Sequence, residues 1–362
     1  MSQVFGTITD NDNEFGFLRN AGQELAWETA QAWVAARMAE FALTRAIFVE
    51  GKTEKFKTRY KKPGAGFLQE RNNQGTYGAS KATGSWDVAY PLRDKGVSHS
   101  WNDVDVAKLT ALELSNHIET GVNSYVNSFR FDVLLPLLNN TQQSFTDQDE
   151  GTLSVEPLAN GDAVTYPPIT GEETDEATED HYLGTDYTMA QITDANNPLK
   201  TGRDDLNHHF GGPTQGGDNI IAFVNSTDSV RLESLSNFRE VEDSRIRSGD
   251  NVDVPFNLPT APGITIGRSD SVWVQQWDFI PPNYILFIHL EEAAPLTMRH
   301  DPLSMGLGTG DFMLVSQSKQ FPFEQAVWRA RYGLGAGNRL NGVVMFINDT
   351  SSYTIPTTYD IF

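Results

Sequence analysis

The chain of 362 residues contains no cysteine. That excludes disulfides, thiolate metal sites, iron–sulfur clusters and a cysteine nucleophile together. No apolar run approaches the roughly 20 residues that span a bilayer. Lysine is scarce, with ten against seventeen arginines, and the formal net charge is −21. So acidic a surface does not wrap nucleic acid in general, because phosphate binding needs clustered cations. The balance fits either adaptation to high salt, where repulsion is screened, or an ordinary acidic surface. The opening MSQVFGTITDNDNEFGF has neither a basic n-region nor an apolar core, so no secretory signal is expected. The glycosylation-type triplets at Asn139, Asn225 and Asn348 then read as chance matches. A protein made in a cytoplasm, soluble until it meets a partner, is the expectation.

What is present suffices for a large core. Apolar residues make up 39% and aromatics 11%, while charged residues at 21% argue against a disordered or coiled-coil chain. The length allows two or three modules of roughly 100–200 residues each. Charge is segregated. Residues 50–95 carry ten cations, Lys52, Lys55, Lys57, Arg59, Lys61, Lys62, Arg71, Lys81, Arg93 and Lys95, against five acids, a balance of +5. Residues 131–199 carry fourteen acids and no Lys or Arg. Two such segments suit contact between copies of the chain, and equally suit two solvated loops of unlike composition.

Residues 1–22 are polar with scattered anchors (Phe5, Phe15, Phe17, Leu18) and read as an extended arm. A helix is predicted from Gln23 to about Phe48, its stripe including Trp27, Ala30, Val34, Met38 and Phe41. Residues 49–97 lose helical periodicity. Turn signals at Pro63-Gly64, Gly66, Gly75, Gly78 and Gly84 separate alternating pieces, Phe56, Thr58, Tyr60 and then Trp86, Val88, Tyr90, which predicts a two-stranded ribbon. A ribbon alone is marginal in water, so its support is expected from another copy of the chain. A helix follows from about 105 to 135, capped by Asp103 or Asp105 and limited by Pro136. Its apolar stripe is Leu114, Ile118, Val122, Tyr125, Phe129 and Val133. Residues 140–217 are acidic and weakly patterned. Strands are predicted at 218–226, 264–269, 272–277, 284–290, 312–318 and 342–349, with a short helix at 226–238 capped by Ser226, Thr227 or Asp228. The class is mixed α+β.

No local motif demands chemistry. Gly333, Gly335 and Gly337 lack the Lys-Ser/Thr of a phosphate loop and the helix of a dinucleotide loop, so they read as a turn. Asp204, Asp205, His208 and His209 place acid–imidazole pairs at i,i+4, a spacing that can share a metal, on what reads as a short exposed helix. The paired acids Glu172-Glu173, Asp175-Glu176 and Glu179-Asp180 read as a solvated loop rather than a glycosidase pair. His289, in an apolar strand, reads as a core or interface histidine. No cofactor, metal or catalytic residue is assigned.

The order of parts (arm, helix, basic ribbon, long helix, α+β module, closing antiparallel strands) resembles the major capsid proteins of tailed double-stranded-DNA viruses, with the Hong Kong 97-type fold. The residues that carry the likeness are IIAFVNSTDSVRLESL, ITIGRSDSVWVQQWDFIPPNYILFIHLEEAAPLTMRHDP and FEQAVWRARYGLGAGNRLNGVVMFIND. The resemblance implies an N-terminal arm and first helix (1–48), an extended loop (49–97), a peripheral domain with its spine helix (98–145 and 296–349), an axial domain (146–295) and a C-terminal tail (350–362). It implies a non-enzymatic subunit forming hexamers and pentamers of an icosahedral shell around DNA. That DNA is enclosed without sequence-specific binding, and portal, scaffolding and decoration proteins are possible partners. Assembly in a host cytoplasm and a place in the virion follow from it, with no membrane. Many relatives carry a long cleaved scaffolding segment; none is expected here, so help in assembly is expected from a separate protein or from none. The subunit interface would include Lys52, Lys55, Lys57, Arg59, Lys61, Lys62, Arg71 and Trp86. Some relatives join a loop lysine to a neighbour's asparagine. Lys57, Lys61 or Lys62 and Asn338 or Asn341 have the residue types, but no assisting carboxylate can be matched, and the cross-link is not predicted. A negative wall would let DNA slide during packaging, an idea that a strongly basic inner surface would sink. The alternatives are an encapsulin-like compartment shell and, from another class, a carbohydrate-active enzyme or lectin with a cleft lined by tryptophan.

Overall fold

The computed structural model describes residues 3–4, 8–9, 23–62, 70–77, 84–147, 149–164, 166, 179–210, 219–240, 247–248, 251–252, 261–320 and 323–360. The expected arm falls almost wholly outside them. The first helix, α1 (Gln23–Arg45), buries Ala30, Val34 and Met38 along the predicted stripe. The long helix is two. A short α2 (Asp103–Lys108) is capped by Asn102, not by either expected aspartate. The chain then turns extended at Leu109 and Thr110 and starts α3 (Ala111–Leu138) with a reciprocal Thr110–Glu113 capping box. The 28 residues of α3 reach about 42 Å at 1.5 Å per residue. Its predicted stripe is buried throughout, from Leu114 to Val133. Pro136 does not end the helix but sits within its last turn, beside the buried Leu134, Leu135, Leu137 and Leu138.

Two sheets lie against this spine. The first joins β1 (Val49–Thr53), β4 (Arg93–Asn102), β13 (Leu296–Arg299), β14 (Met313–Gln320) and β15 (Phe323–Ala336). The fourteen-residue β15 is its axis. It pairs antiparallel with β4 along residues 323–332, with β14 along 323–329 and with β13 along 333–336. Strand β1 adds to β13 in parallel. The glycine-rich run predicted as a turn is therefore strand: Gly333 and Gly335 lie within β15. A Cβ on Gly335 would come within 2.7 Å of the Ala89 carbonyl oxygen and 2.8 Å of the Tyr90 ring. Glycine here admits a neighbouring backbone rather than bending the chain.

The second sheet has seven strands, β7 (Tyr182–Gly184), β8 (Ile220–Val224), β9 (Arg239–Glu240), β10 (Ile264–Ser269), β11 (Val272–Gln276), β12 (Tyr284–His289) and β16 (Val343–Phe346), in the order β9-β10-β11-β8-β12-β16-β7. The Asp270-Ser271 turn between β10 and β11 has positive φ at both residues, as a tight hairpin requires. Strands β8 and β12 are buried on both faces. Ile221, Phe223, Leu286 and Ile288 join the core of α1 and α3, whereas Ile220, Ala222, Val224, Ile285 and Phe287 form a second core. That second core is closed by α4 (Pro198–Phe210) and α5 (Ser226–Glu233), through Leu199, Leu206 and Leu232. So α4 is not the exposed helix its flanking glycines implied. A Cβ on Gly202 would lie 2.5 Å from the Phe287 ring, so glycine lets the helix press on the sheet. Asn225, one residue before the three expected candidates, caps α5. Strand β16 returns from the first sheet to pair between β12 and β7.

Candidate subunit interface

The predicted ribbon exists. Strands β2 (Lys57–Lys62) and β3 (Gly84–Ala89) pair antiparallel, with Arg59 opposite Asp87 and Tyr60 opposite Trp86. Side chains alternate between faces. One face carries Lys57, Arg59 and Asp87. The other carries Tyr60, Trp86 and Val88 and rests on the chain's own Ala159, Tyr166 and Leu340. Trp86, placed among the interface residues by sequence, is only 4% exposed and donates its indole N–H to the Gly337 carbonyl at 3.3 Å. The Tyr60 and Tyr90 hydroxyls meet at 2.6 Å. The expectation that the ribbon depends on a neighbour for support is thus corrected at its base. That base is an aromatic wedge in the chain's own third core, whose other members lie far off in sequence. Residues 63–69 and 78–83, which include most of the glycine signals and Lys81, lie outside the described residues.

Much of the predicted positive charge is answered within the chain. Asp87 receives a two-point contact from Arg59, at 2.7 and 3.0 Å, and an ion pair from Lys57 at 3.1 Å. The Arg59 and Lys57 hydrogen bonds hold its carboxyl well below the usual carboxylate range. Lys52 lies 2.8 Å from Asp311, which also holds Arg45 at 2.7 Å. Arg93 and Lys95 turn inward to the buried Asp132, at 2.9 and 2.6 Å, where the Tyr332 hydroxyl also donates at 2.6 Å. What stays exposed among the described cations of the segment is Lys52, Lys55, Lys57, Arg59 and Arg71. Lys61 and Lys62 pair in register with Ser85 and Gly84, and their side chains lie outside the described residues.

The asparagines with cross-link chemistry are enclosed. Asn341 donates to the His289 carbonyl at 3.0 Å and accepts the His289 N–H at 2.9 Å, while Asn338 donates to the Ala293 carbonyl at 2.8 Å. His289 is a buried core histidine, its pKa pushed down by burial. Sequence reasoning missed the polar knots that tie the two halves of the chain together. Arg339 is fully buried and donates to the carbonyls of Pro157 and Leu158 at 2.7 and 3.0 Å and to Asp162 at 2.9 Å. Asp147, also buried, accepts from Leu92 N–H at 2.7 Å and from Arg299 at 3.0 Å. Trp86, Trp273, Trp277 and Trp328 are all core residues. The acids at 172–176 lie outside the described residues, and Glu179 is not solvated but largely buried.

No protein-family model and no curated protein matches the chain. Solved structures do. A chain from Mycobacterium phage Patience aligns over 98% of both chains at a TM-score of 0.65 and 15% identity. The mature capsid of bacteriophage PhiM1 aligns over 84% of this chain and 86% of its own, at 0.52 and 9%. The capsid of cyanophage P-SCSP1u aligns over 83% and 86%, also at 0.52 and 9%. The chain has a phage capsid fold. The α+β architecture expected from sequence is the architecture these capsid chains share.

Proposed function

We propose that this chain is the major capsid protein of a tailed double-stranded-DNA virus, assembling with copies of itself as hexamers and pentamers into an icosahedral shell. The observation that carries the reading is the likeness to two named capsid structures over 84% and 83% of the chain. The first sheet and α3 would form the peripheral domain. The seven-stranded sheet, with β16 included, would form the axial domain near the symmetry axes. The outward face of the ribbon, with Lys57 and Arg59, would lie on a neighbouring copy, and Lys52, Lys55, Lys61, Lys62 and Arg71 of the same segment would belong to that contact. Heterologous contacts that close give rings, and rings joined at their edges give a shell. The subunit is structural rather than catalytic, DNA is enclosed without sequence reading, and portal, scaffolding or decoration proteins are its further partners in the virion. Electron microscopy of the purified protein tests the reading. Closed particles support it, and particles filled with a protein cargo favour a compartment shell instead. A stable 40.2 kDa monomer contradicts it.

A further inference from the structure

Glu179, His181 and His209 converge where the seven-stranded sheet meets α4. Their ligand-type atoms all lie within 4.8 Å of one another. Glu179 Oε1 stands 3.3 Å from His209 Nε2 and 3.6 Å from His181 Nε2. In a tetrahedral zinc site with bonds of about 2.0–2.1 Å, ligand atoms sit roughly 3.3 Å apart, so both separations are near what an ion requires. His181 is fully buried, and its Nδ1 lies 2.7 Å from the Gly342 carbonyl oxygen. A carbonyl only accepts, so Nδ1 holds a proton, which leaves Nε2 as the ring nitrogen turned to the carboxylate. A backbone carbonyl fixing the tautomer in this way is the usual support of a metal-bound imidazole. The backbone is fixed too. The His181 N–H donates to Ala159 and its carbonyl accepts from Val344, and the Glu179 carbonyl accepts from Gly161. Asp205, four residues before His209 on α4, is on the same side of the helix. Its Oδ2 is buried without a hydrogen-bond partner in the described structure, and its carboxyl feels the charges of His181 and Glu179.

We propose that Glu179, His181 and His209 bind a divalent transition-metal ion of the zinc type, with water in the fourth position. Two imidazoles and a carboxylate suit zinc and disfavour calcium or magnesium, which take oxygen. The ion would clamp the chain entering β7 to the end of α4. Sequence reasoning had His209 as a candidate but paired it with its helix neighbours. The other two ligands come from 28 and 30 residues earlier, across a fold contact that spacing does not reveal.

The site is independent of the shell reading, and its test reads metal rather than assembly. The full chain is stripped with chelator, dialysed against zinc or magnesium, and assayed for bound metal. Cobalt absorption reports the geometry. The expected result is one zinc per chain, no retained magnesium, tetrahedral cobalt bands and a higher melting temperature with zinc. Glu179→Gln and His209→Gln each weaken binding at least about tenfold, the low end of what even supporting residues of metal sites cost. His208→Gln, on the exposed neighbour, retains the full equivalent. Should His209→Gln fail to fold, Glu179→Gln carries the test at nearly unchanged volume. Zinc at the dialysis background in the wild type, or an unchanged affinity in Glu179→Gln, overturns the proposal.

Discussion

Arg339 carries a guanidinium to a site with no solvent contact, and its acceptors lie 177 to 182 residues upstream. Nothing in the string Asn338-Arg339-Leu340 announces this, because a buried cation is defined by partners that only the fold supplies. Arg339→Met leaves Asp162 and two carbonyls facing an apolar side chain. Asp162 is 31% exposed and can rehydrate, but each buried carbonyl left without its donor costs about 1–3 kcal/mol, to be read from denaturant unfolding. Arg339→Lys recovers little of it, since a point-like ammonium cannot reproduce the fork. Asp147 is legible from acidity just as poorly. Burial pushes its pKa up, but the N–H groups of Leu92, Asp149 and Glu150, together with Arg299, outweigh burial and leave it lowered. Its folded pKa lies below the unfolded one. Its contribution is therefore present above the usual aspartate value of about 3.9 and is lost as pH falls from there through the folded pKa. Melting temperatures measured from about pH 7 to 3 should fall less steeply at the acid end in Asp147→Asn than in the wild type, from a lower starting value.

Elements with strong periodicity were legible. The stripe of α3 and the strands β8, β10, β11 and β12 follow directly from apolar spacing. Their ends were not, because Asn102, Thr110 and Asn225 are identified as caps only by the amides they accept. The glycines of β15 misled for a different reason. Glycine marks a turn and a close backbone approach alike, and only the Ala89–Tyr90 chain crossing at Gly335 decides which. Gly335→Val should destabilise by at least about 1–3 kcal/mol through overpacking, measured by chemical denaturation. The ribbon base makes a parallel case. Alternation showed its two faces, but not that the aromatic face would find Tyr166 and Leu340 in the same chain. Trp86→Ala should cost about 3–5 kcal/mol and raise proteolysis of the ribbon, as a large core truncation does.

At the scale of the whole molecule, the order of parts was readable and the disposition of charge was not. The segment with a balance of +5 keeps Lys52, Arg93 and Lys95 on in-chain carboxylates, and even Lys57 and Arg59 share Asp87. The described outward face of the ribbon is mixed rather than uniformly basic, which in the proposed contact would suit fixing register more than long-range attraction. Reversing the exposed Arg59 to Glu should therefore leave chain stability within about 0.5 kcal/mol of wild type or reduce it slightly through Asp87, while particle yield falls sharply. The central claim, that the chain is a shell subunit, is tested most directly by cryo-electron microscopy of the purified protein. The account predicts closed icosahedral particles in which the Lys57–Arg59 face of each ribbon contacts an adjacent copy. A protein that stays monomeric at 40.2 kDa under all assembly conditions, or particles whose ribbons touch only their own chain, would contradict it.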